Sequence, residues 1–221
     1  YVNSWSGAGK GFVSGVVCWV FNQSVKTVAE ALSHEVGHTV GLSHDGQIGG
    51  SQYYSGHGGG LTTPTSWAPS KGEYAKANNL EDDIAIITKA ANQFGFAGEL
   101  ANGSRALPVT GAVFKTEGLL RGAASVDTYT FTTAGGAFSV NAAPATADSD
   151  VDVKLELRND KDATLATADL VAATNASLSR TLPAGAYKLI VTGAGTGPAP
   201  AGGYTTGYSA YGSIGKYVLS G

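Results

Sequence analysis

Three of the four histidines in this 221-residue chain fall within eleven positions, in the stretch HEVGHTVGLSHDG that spans residues 34–46. Residues four apart on a helix share a face, so His34 and His38 can direct two imidazole nitrogens at one ion. Gly41 then allows the chain to reverse, and the short segment that follows is long enough for His44 to return toward the same point. The spacing therefore predicts a helix that stops at Gly41 and carries a three-histidine metal site.

The ligand set indicates which metal and which chemistry to expect. Three nitrogen ligands with one open position are typical of catalytic zinc, whereas structural zinc sites are closed by four protein ligands. Water is expected in the open position, where zinc lowers its pKa toward ~7. Glu35 adjoins a ligand in the sequence without being one, so we expect it to take the proton of that water and pass it to a leaving amine. The predicted cofactor is Zn²⁺ and the predicted reaction is hydrolysis of an amide.

The full pattern His34-Glu35-x-x-His38-x-x-Gly41-x-x-His44-Asp45 resembles that of the metzincin metallopeptidases, and the aspartate after the third histidine is similar to the adamalysin or reprolysin branch. The resemblance implies zinc held by the three histidines, Glu35 as the general base and Asp45 as a structural hydrogen-bonding residue. A solvated loop aspartate is an equally good interpretation of Asp45. The flanking sequence AEALSHEVGHTVGLSHDG is similar to secreted bacterial peptidases of this kind. The implied protein is an extracellular endopeptidase acting on protein or peptide substrates.

The remainder of the chain resembles a different module. Residues 104–221, ending GYSAYGSIGKYVLSG, are similar to the bacterial pre-peptidase C-terminal β-sandwich that is attached to such enzymes. We therefore expect a zinc peptidase domain over residues 1–98, a linker over 99–110 and a β-sandwich over 111–221. The fold class predicted is an α/β (α+β) metzincin-like catalytic domain followed by an all-β, jelly-roll-like sandwich.

The sequence departs from the metzincin pattern in two ways, and both concern the predicted catalytic domain. The sequence contains no methionine, whereas metzincins are named for a methionine turn beneath the metal. That turn is expected just after SWAP, residues 66–69, so either residues are absent between Pro69 and Ser70 or the floor of the metal site is built differently. Only 33 residues precede His34, too few for the multistranded upper subdomain of the family. We therefore expect the domain to be incomplete before Tyr1 as well.

The periodicity of apolar residues predicts the local structure. The run FVSGVVCWVF, residues 12–21, is rich in β-branched and aromatic side chains and predicts one buried strand. In the helix that follows, an apolar stripe is predicted, with His34 and His38 on the opposite side. Its members are Val25, Val28, Ala29, Leu32, Val36 and Val40. A second helix is expected to open near Asn79 and end at Gly95.

After Gly103 the apolar period changes from 3.6 residues to two. The segments 127–133, 151–158 and 186–193 alternate apolar and polar side chains, and turn sequences such as Leu182-Pro183-Ala184-Gly185 separate them. This alternation is typical of an antiparallel β-sandwich.

Several weaker signals have two interpretations each. His57, in a glycine-rich loop, is either a fourth ligand or hydrogen-bonding partner of one, or local scaffolding, which we favour. Tyr53 and Tyr54 either approach the metal or simply pack. The acidic run DSDVDV offers oxygen ligands for Ca²⁺, or forms the solvated face of a strand. Its aspartates are Asp148, Asp150 and Asp152.

The net charge and the composition of the chain exclude some classes of binding partner. A net charge of -3 and a pI of about 5.8 provide no basic surface for phosphates, so nucleic acid is not expected as a partner. The longest apolar stretch is too short to cross a bilayer, so a membrane is not expected either. The single Cys18 cannot form an intrachain disulfide. Substrate-binding residues and oligomeric state are not identified.

Two alternatives to a peptidase follow from the same residues. The same zinc chemistry would hydrolyse a cell-wall amide. The chain could also be a surface-binding or substrate-binding protein, non-catalytic or weakly catalytic, whose zinc site is structural. The glutamate at position 35 argues against that alternative, whereas the missing methionine and upper sheet favour it.

Overall fold

The computed structural model describes only part of the chain. The described residues are 10–14, 17–21, 25–43, 82–93, 95–96, 103–122, 124–146, 151–170, 173–195, 210 and 212–221. Strands predominate among them, and the two helices both lie before residue 100. Within these ranges no helix has the length and apolar character needed to span a membrane.

The first apolar run forms a hairpin. Strand β1, Lys10–Ser14, pairs antiparallel with β2, Val17–Phe21, and Ser14 lies opposite Val17. The prediction of one continuous strand over residues 12–21 was therefore wrong. The physical reason is the glycine at position 15, since glycine weakens a strand and commonly marks the place where it bends or stops.

Helix α1, Val25–Val40, follows the hairpin and packs against both of its strands. Its limits agree with the prediction, but its orientation was unexpected. Most of the apolar stripe faces outward, with Leu32 46% exposed and Val36 40% exposed, whereas Val40 at its end is buried. Ala31 and Glu35 are buried instead. The side of α1 that faces the protein is thus the side that carries Glu35, with His34 and His38 half-buried beside it.

Helix α2, Asp83–Thr88, is much shorter than predicted. The Asp82 carboxylate caps it by accepting a hydrogen bond from the Ala85 N–H at 3.0 Å. Lys89 then adopts an extended conformation, with φ -58° and ψ 148°, and ends the helix. A single 3₁₀ turn, Ala90–Asn92, follows. The apolar spacing that suggested one long helix therefore extends over two separate helical segments.

The C-terminal part is a two-sheet β-sandwich, as predicted. The first sheet has the strand order β3-β5-β10-β7-β8 and the second β4-β11-β6-β9. All pairs are antiparallel except β3 with β5. The strands are β3 Ser104–Ala106, β4 Lys115–Leu120, β5 Val126–Thr133, β6 Gly136–Pro144, β7 Val153–Asn159, β8 Thr164–Ala168, β9 Ala176–Leu182, β10 Gly185–Gly193 and β11 Gly215–Ser220.

The sandwich begins earlier than expected. Strand β3 lies inside the segment 99–110 that the sequence suggested as a linker, and it pairs in parallel with β5. The three alternating segments predicted as strands correspond to β5, β7 and β10. The predicted turn also connects β9 to β10, with Tyr187 Oη donating a hydrogen bond to Pro183 O at 2.9 Å.

The two sheets bury a common apolar core. Leu155 and Leu189 from the first sheet and Leu120 and Leu219 from the second are fully buried. At one end, Phe131 and Phe138 stack with ring centroids 4.7 Å apart and join this core to a smaller cluster around Tyr187. The alternation of period two thus places one face of each sheet in the core.

A polar cluster interrupts that core. The Tyr129 and Tyr217 hydroxyls lie 2.9 Å apart. Tyr217 also donates to the Asp127 carboxylate, and Arg105 donates to the Tyr129 hydroxyl. The Arg105 guanidinium lies 3.5 Å from Asp127 Oδ2. Burial raises the pKa of Asp127, although the hydrogen bond from Tyr217 and the charge of Arg105 lower it in part.

The burial of Asp152 differs from what the sequence suggested. It is buried, so the proposal that it lies on a solvated face was wrong. Strand β7 begins only at Val153, so Asp152 belongs to the connection before the strand and does not follow its alternation. Its backbone is held by Ser213 Oγ, which accepts from Asp152 N at 2.8 Å and donates to Asp152 O at 2.6 Å. Asp148 and Asp150 lie outside the described residues.

Candidate metal centre

Helix α1 brings His34 and His38 together. Their Nε2 atoms are 3.1 Å apart, and the rings meet edge to face with centroids 4.7 Å apart and planes at 85°. The spacing of four residues places them one helical turn apart on the same face. The convergence of two imidazoles predicted from the sequence is therefore present in the structure.

The separation of the two nitrogens matches a shared metal ion. Zinc–nitrogen bonds are about 2.0–2.1 Å long, so two imidazole nitrogens on one tetrahedral zinc stand about 3.3–3.4 Å apart. The observed 3.1 Å is within a few tenths of an ångström of this value. The same distance also suits a hydrogen bond between the rings when one Nε2 carries a proton. Geometry alone thus fits a metal pair or a hydrogen-bonded pair.

A backbone carbonyl determines the tautomer of His38. The Nδ1 atom of His38 lies 2.9 Å from Leu42 O. A carbonyl oxygen can only accept, so Nδ1 must carry the proton and donate it. In the neutral ring the lone pair is then on Nε2, the atom that faces His34. Metal-binding histidines are commonly oriented in this way by a backbone carbonyl on the second nitrogen.

Gly41 ends α1 in the way that the predicted metal site requires. Its φ is +105°, a backbone conformation that favours glycine. The N–H of Gly41 donates to His38 O at 3.1 Å and the N–H of Leu42 donates to Gly37 O at 3.0 Å. These two bonds form a Schellman motif. The motif confirms the predicted helix stop and places the Leu42 carbonyl within reach of His38.

Glu35 is buried beside the histidine pair, with 8% of its surface exposed. Burial raises the pKa of its carboxyl group, and the charge of His38 lowers it in part. A carboxyl group whose pKa is raised toward neutrality accepts and returns protons more readily near neutral pH. Its environment is therefore suited to proton transfer.

The other candidates from the sequence are outside the described residues. These are the third predicted ligand His44, the neighbouring Asp45, and His57, Tyr53 and Tyr54 of the following loop. Within the part of the chain that the structure describes, no three histidine, cysteine, aspartate or glutamate side chains form a group that could hold a metal ion. The described site thus consists of His34, His38 and Glu35.

Sequence reasoning did not identify the Leu42 carbonyl as a partner of His38. A backbone atom leaves no residue-type signal, so the motif HExxH does not reveal it. The signal that could have found it is Gly41: a Schellman stop fixes the direction of the next residue, and Leu42 O then lies near the last turn of the helix.

Comparison with known proteins gives only weak similarities. The sequence matches no protein-family model and no curated protein. Among solved structures, the pre-peptidase C-terminal domain of a Bacillus anthracis collagenase is 16% identical with a TM-score of 0.37, over 56% of this chain and 100% of that one.

Two further solved structures are similar at the same low level. Aeromonas hydrophila PliG, a periplasmic inhibitor of g-type lysozyme, is 13% identical with a TM-score of 0.32, over 53% of this chain and 94% of that one. The Yersinia pseudotuberculosis-derived mitogen is 10% identical with a TM-score of 0.31, over 49% of this chain and 82% of that one. No function is assigned to the chain from these similarities.

Proposed function

We propose that the chain is a zinc-dependent endopeptidase of the metzincin type, with His34, His38 and His44 as zinc ligands and Glu35 as the general base. One observation carries the proposal: the Nε2 atoms of His34 and His38 stand 3.1 Å apart, within a few tenths of an ångström of the separation that two ligands of one zinc ion adopt. The third ligand, His44, is assigned from the sequence spacing. The α/β catalytic domain is proposed over residues 1–98.

The surroundings of the pair support the proposed metal site. Leu42 O fixes the proton of His38 on Nδ1 and leaves Nε2 with its lone pair. The Schellman stop at Gly41 turns the chain at the position from which His44 would return. A hydrogen-bonded histidine pair would not need the buried carboxyl group of Glu35 between its two members in the sequence.

In the proposed reaction the chain supplies positioning and proton transfer. Zinc, when bound by the three imidazoles, acts as a Lewis acid that polarises the scissile carbonyl and lowers the pKa of a water molecule. Glu35, buried and with a raised pKa, takes the proton of the attacking water and then delivers it to the leaving amine. The Leu42 carbonyl keeps the His38 ring in the correct tautomer throughout.

The proposal also includes the location of the protein, which is inferred from its β-sandwich. The bacterial pre-peptidase C-terminal module that residues 104–221 resemble accompanies secreted peptidases, so we place the protein outside the cell. Protein or peptide substrates are proposed to bind in an extended conformation. Calcium as an additional ion stays a prediction from the acidic run at residues 148–152.

The proposal is tested by replacing Glu35 with Gln, which keeps the shape of the side chain and removes its proton-accepting charge. Casein hydrolysis should fall by at least about 10²-fold, the contribution typical of a general base, while the zinc content stays at one per chain. The matched control is Glu117→Gln, the same change at an exposed position of β4. It should leave both zinc content and hydrolysis unchanged.

The same assay separates the alternatives. Hydrolysis that survives in the Glu35→Gln variant would refute the assigned base. Cleavage of peptidoglycan amides without cleavage of casein would indicate the cell-wall amidase. A chain that holds zinc but cleaves neither substrate would indicate the binding protein with a structural zinc site.

A further inference from the structure

We infer that Asn92 is a positioning residue of the candidate metal centre, holding the end of α1 from which the metal-binding turn departs. This inference rests on the proposed zinc site. Asn92 lies in the 3₁₀ turn after α2, 52 residues beyond its partner Val40. It was not singled out by any sequence motif.

The Asn92 amide joins the ends of two helices. Its Nδ2 lies 2.9 Å from Val40 O, at the C-terminus of α1, and 2.8 Å from Ile86 O in α2. The distance to Ile87 O is 3.4 Å. An amide nitrogen has two hydrogens to donate, so the two short contacts use both of them. Asn92 therefore binds one carbonyl of α1 and one of α2 at the same time.

The contact with Val40 is placed where it can control the site. The last carbonyls of a helix have no partner within the helix, and Asn92 supplies one for Val40 O. Val40 directly precedes Gly41, and the next residue, Leu42, provides the carbonyl that orients His38. A shift of the Val40 peptide would therefore move the acceptor of the His38 Nδ1 proton and the start of the segment leading to His44.

A second side chain from the same segment reaches this turn. A Cβ atom at Gly41 would lie only 3.1 Å from Lys89 Nζ, so the ammonium group stands over the glycine. Positive charge at a helix C-terminus is favourable because it offsets the helix dipole. The segment from Lys89 to Asn92 thus reaches both the last residue of α1, Val40, and the turn residue after it, Gly41.

If Asn92 stabilised α2 alone, a different experimental result would be expected. Since Ile86 belongs to α2, Asn92 would then be only a cap of α2, and its loss would disturb that helix alone. Thr88 provides the matched comparison, because its Oγ1 donates to Ile84 O at 2.6 Å within α2. Thr88→Val removes a hydrogen bond of α2 and leaves the contact with α1 in place.

The experiment compares the full chain with Asn92→Ala, Asn92→Asp and Thr88→Val. Asn92→Asp keeps the shape but presents a carboxylate, which cannot donate to carbonyl oxygens. Two quantities are measured: amide hydrogen exchange at Gly41 and Leu42 in the metal-free protein, and the Kd for Zn²⁺ by competition with a chelator. Co²⁺ spectra of the same variants report whether the coordination geometry changes.

Both Asn92 variants should raise the exchange rates at Gly41 and Leu42 by at least about 10-fold, because the turn loses an anchor. They should raise the Kd for Zn²⁺ by about 10–100-fold, the effect typical of residues that orient metal ligands. Thr88→Val should change the Kd by less than about 3-fold, since α1 is untouched.

The possible failures are distinguishable. If the wild-type chain binds Zn²⁺ and both Asn92 variants bind it equally well, the positioning role is overturned and the proposed function stands. If Thr88→Val weakens Zn²⁺ as much as Asn92→Ala does, Asn92 is only a cap of α2 and the inference is again overturned. If the wild-type chain binds no Zn²⁺, the proposed function fails and the positioning role with it.

Discussion

The ring of Tyr217 on β11 lies directly over Gly118, its cross-strand partner on β4. A Cβ atom at Gly118 would overlap the Cζ, Oη and Cε1 atoms of the phenol. The missing side chain at Gly118 is therefore what allows the Tyr217 hydroxyl to lie between Asp127 and Tyr129 in the core. A glycine in one sheet thus makes the polar cluster between the two sheets possible.

Replacing Gly118 with Ala should destabilise the sandwich by about 1–3 kcal/mol, the usual cost of overpacking a core. The free energy of unfolding from urea titration measures the effect. Gly122→Ala is the matched control, because a Cβ there meets nothing within 4 Å. Equal, small effects of the two substitutions would show that Tyr217 does not occupy the space above Gly118.

Replacing Tyr217 with Phe should cost about 1–3 kcal/mol, because it removes the buried hydroxyl that donates to Asp127 and pairs with the Tyr129 hydroxyl, and Arg105 is the remaining side-chain partner of both. Tyr187→Phe removes one hydroxyl that donates to Pro183 O near the end of the sandwich. That control should cost only about 0.5–1.5 kcal/mol, the net value of a single hydrogen bond. Thermal and urea unfolding of both variants measure the difference, and a Tyr217→Phe protein as stable as the wild type would contradict the buried network.

Asp127 should make the stability of the sandwich depend on pH. Burial raises its native pKa above the ordinary value of 3.8, so the native state holds the proton more tightly than the unfolded chain. This contribution to stability is fully present below pH 3.8 and is lost as the pH rises through the native pKa.

The wild type should therefore gain stability relative to Asp127→Asn as the pH falls from 7 to 3.8. Urea titrations of both proteins at several pH values isolate this difference, because the other acidic groups are common to both. A wild type that loses stability relative to Asp127→Asn on acidification would contradict the assignment.

The side of α1 that faces the protein can be tested by two neighbouring substitutions. Leu32→Gln should change the free energy of unfolding by less than about 0.5 kcal/mol, since the side chain is half exposed. Ala31→Leu should cost about 1–3 kcal/mol, because Ala31 is buried and a larger side chain there would have to displace its neighbours. A larger cost for Leu32→Gln than for Ala31→Leu would mean that the apolar stripe of α1 is the side that packs against the rest of the protein.

The sandwich was largely predictable from the sequence. Alternation in segments such as VDVKLELR is a local signal, and β5, β7 and β10 correspond to it. The pairing of β3 with β5 and the approach of Tyr217 to Asp127 depend on residues about 24 and 90 positions apart. Periodicity along the chain cannot reveal such contacts, so the early start of the sheet and the polar cluster were not foreseen.

In the N-terminal part the helix was predictable, but its orientation was not. The 3.6-residue period and Gly41 define where α1 runs and stops, and both agree with the structure. Which face packs on the hairpin depends on the partner surface. Periodicity marks Val36 as apolar, yet it is Glu35 that is buried. The convergence of His34 and His38 followed directly from their spacing, whereas the Asn92 contact joins residues too far apart in sequence to be inferred.

The central claim is that His34 and His38 share one zinc ion with His44, and zinc K-edge X-ray absorption of the purified full chain tests it most directly. We predict one zinc per chain, bound by three imidazole nitrogens at about 2.0–2.1 Å and one oxygen. The metal should be lost in His34→Ala and retained in His57→Ala. A chain without zinc, a fourth protein ligand in place of the oxygen, or zinc retained in His34→Ala would contradict the claim.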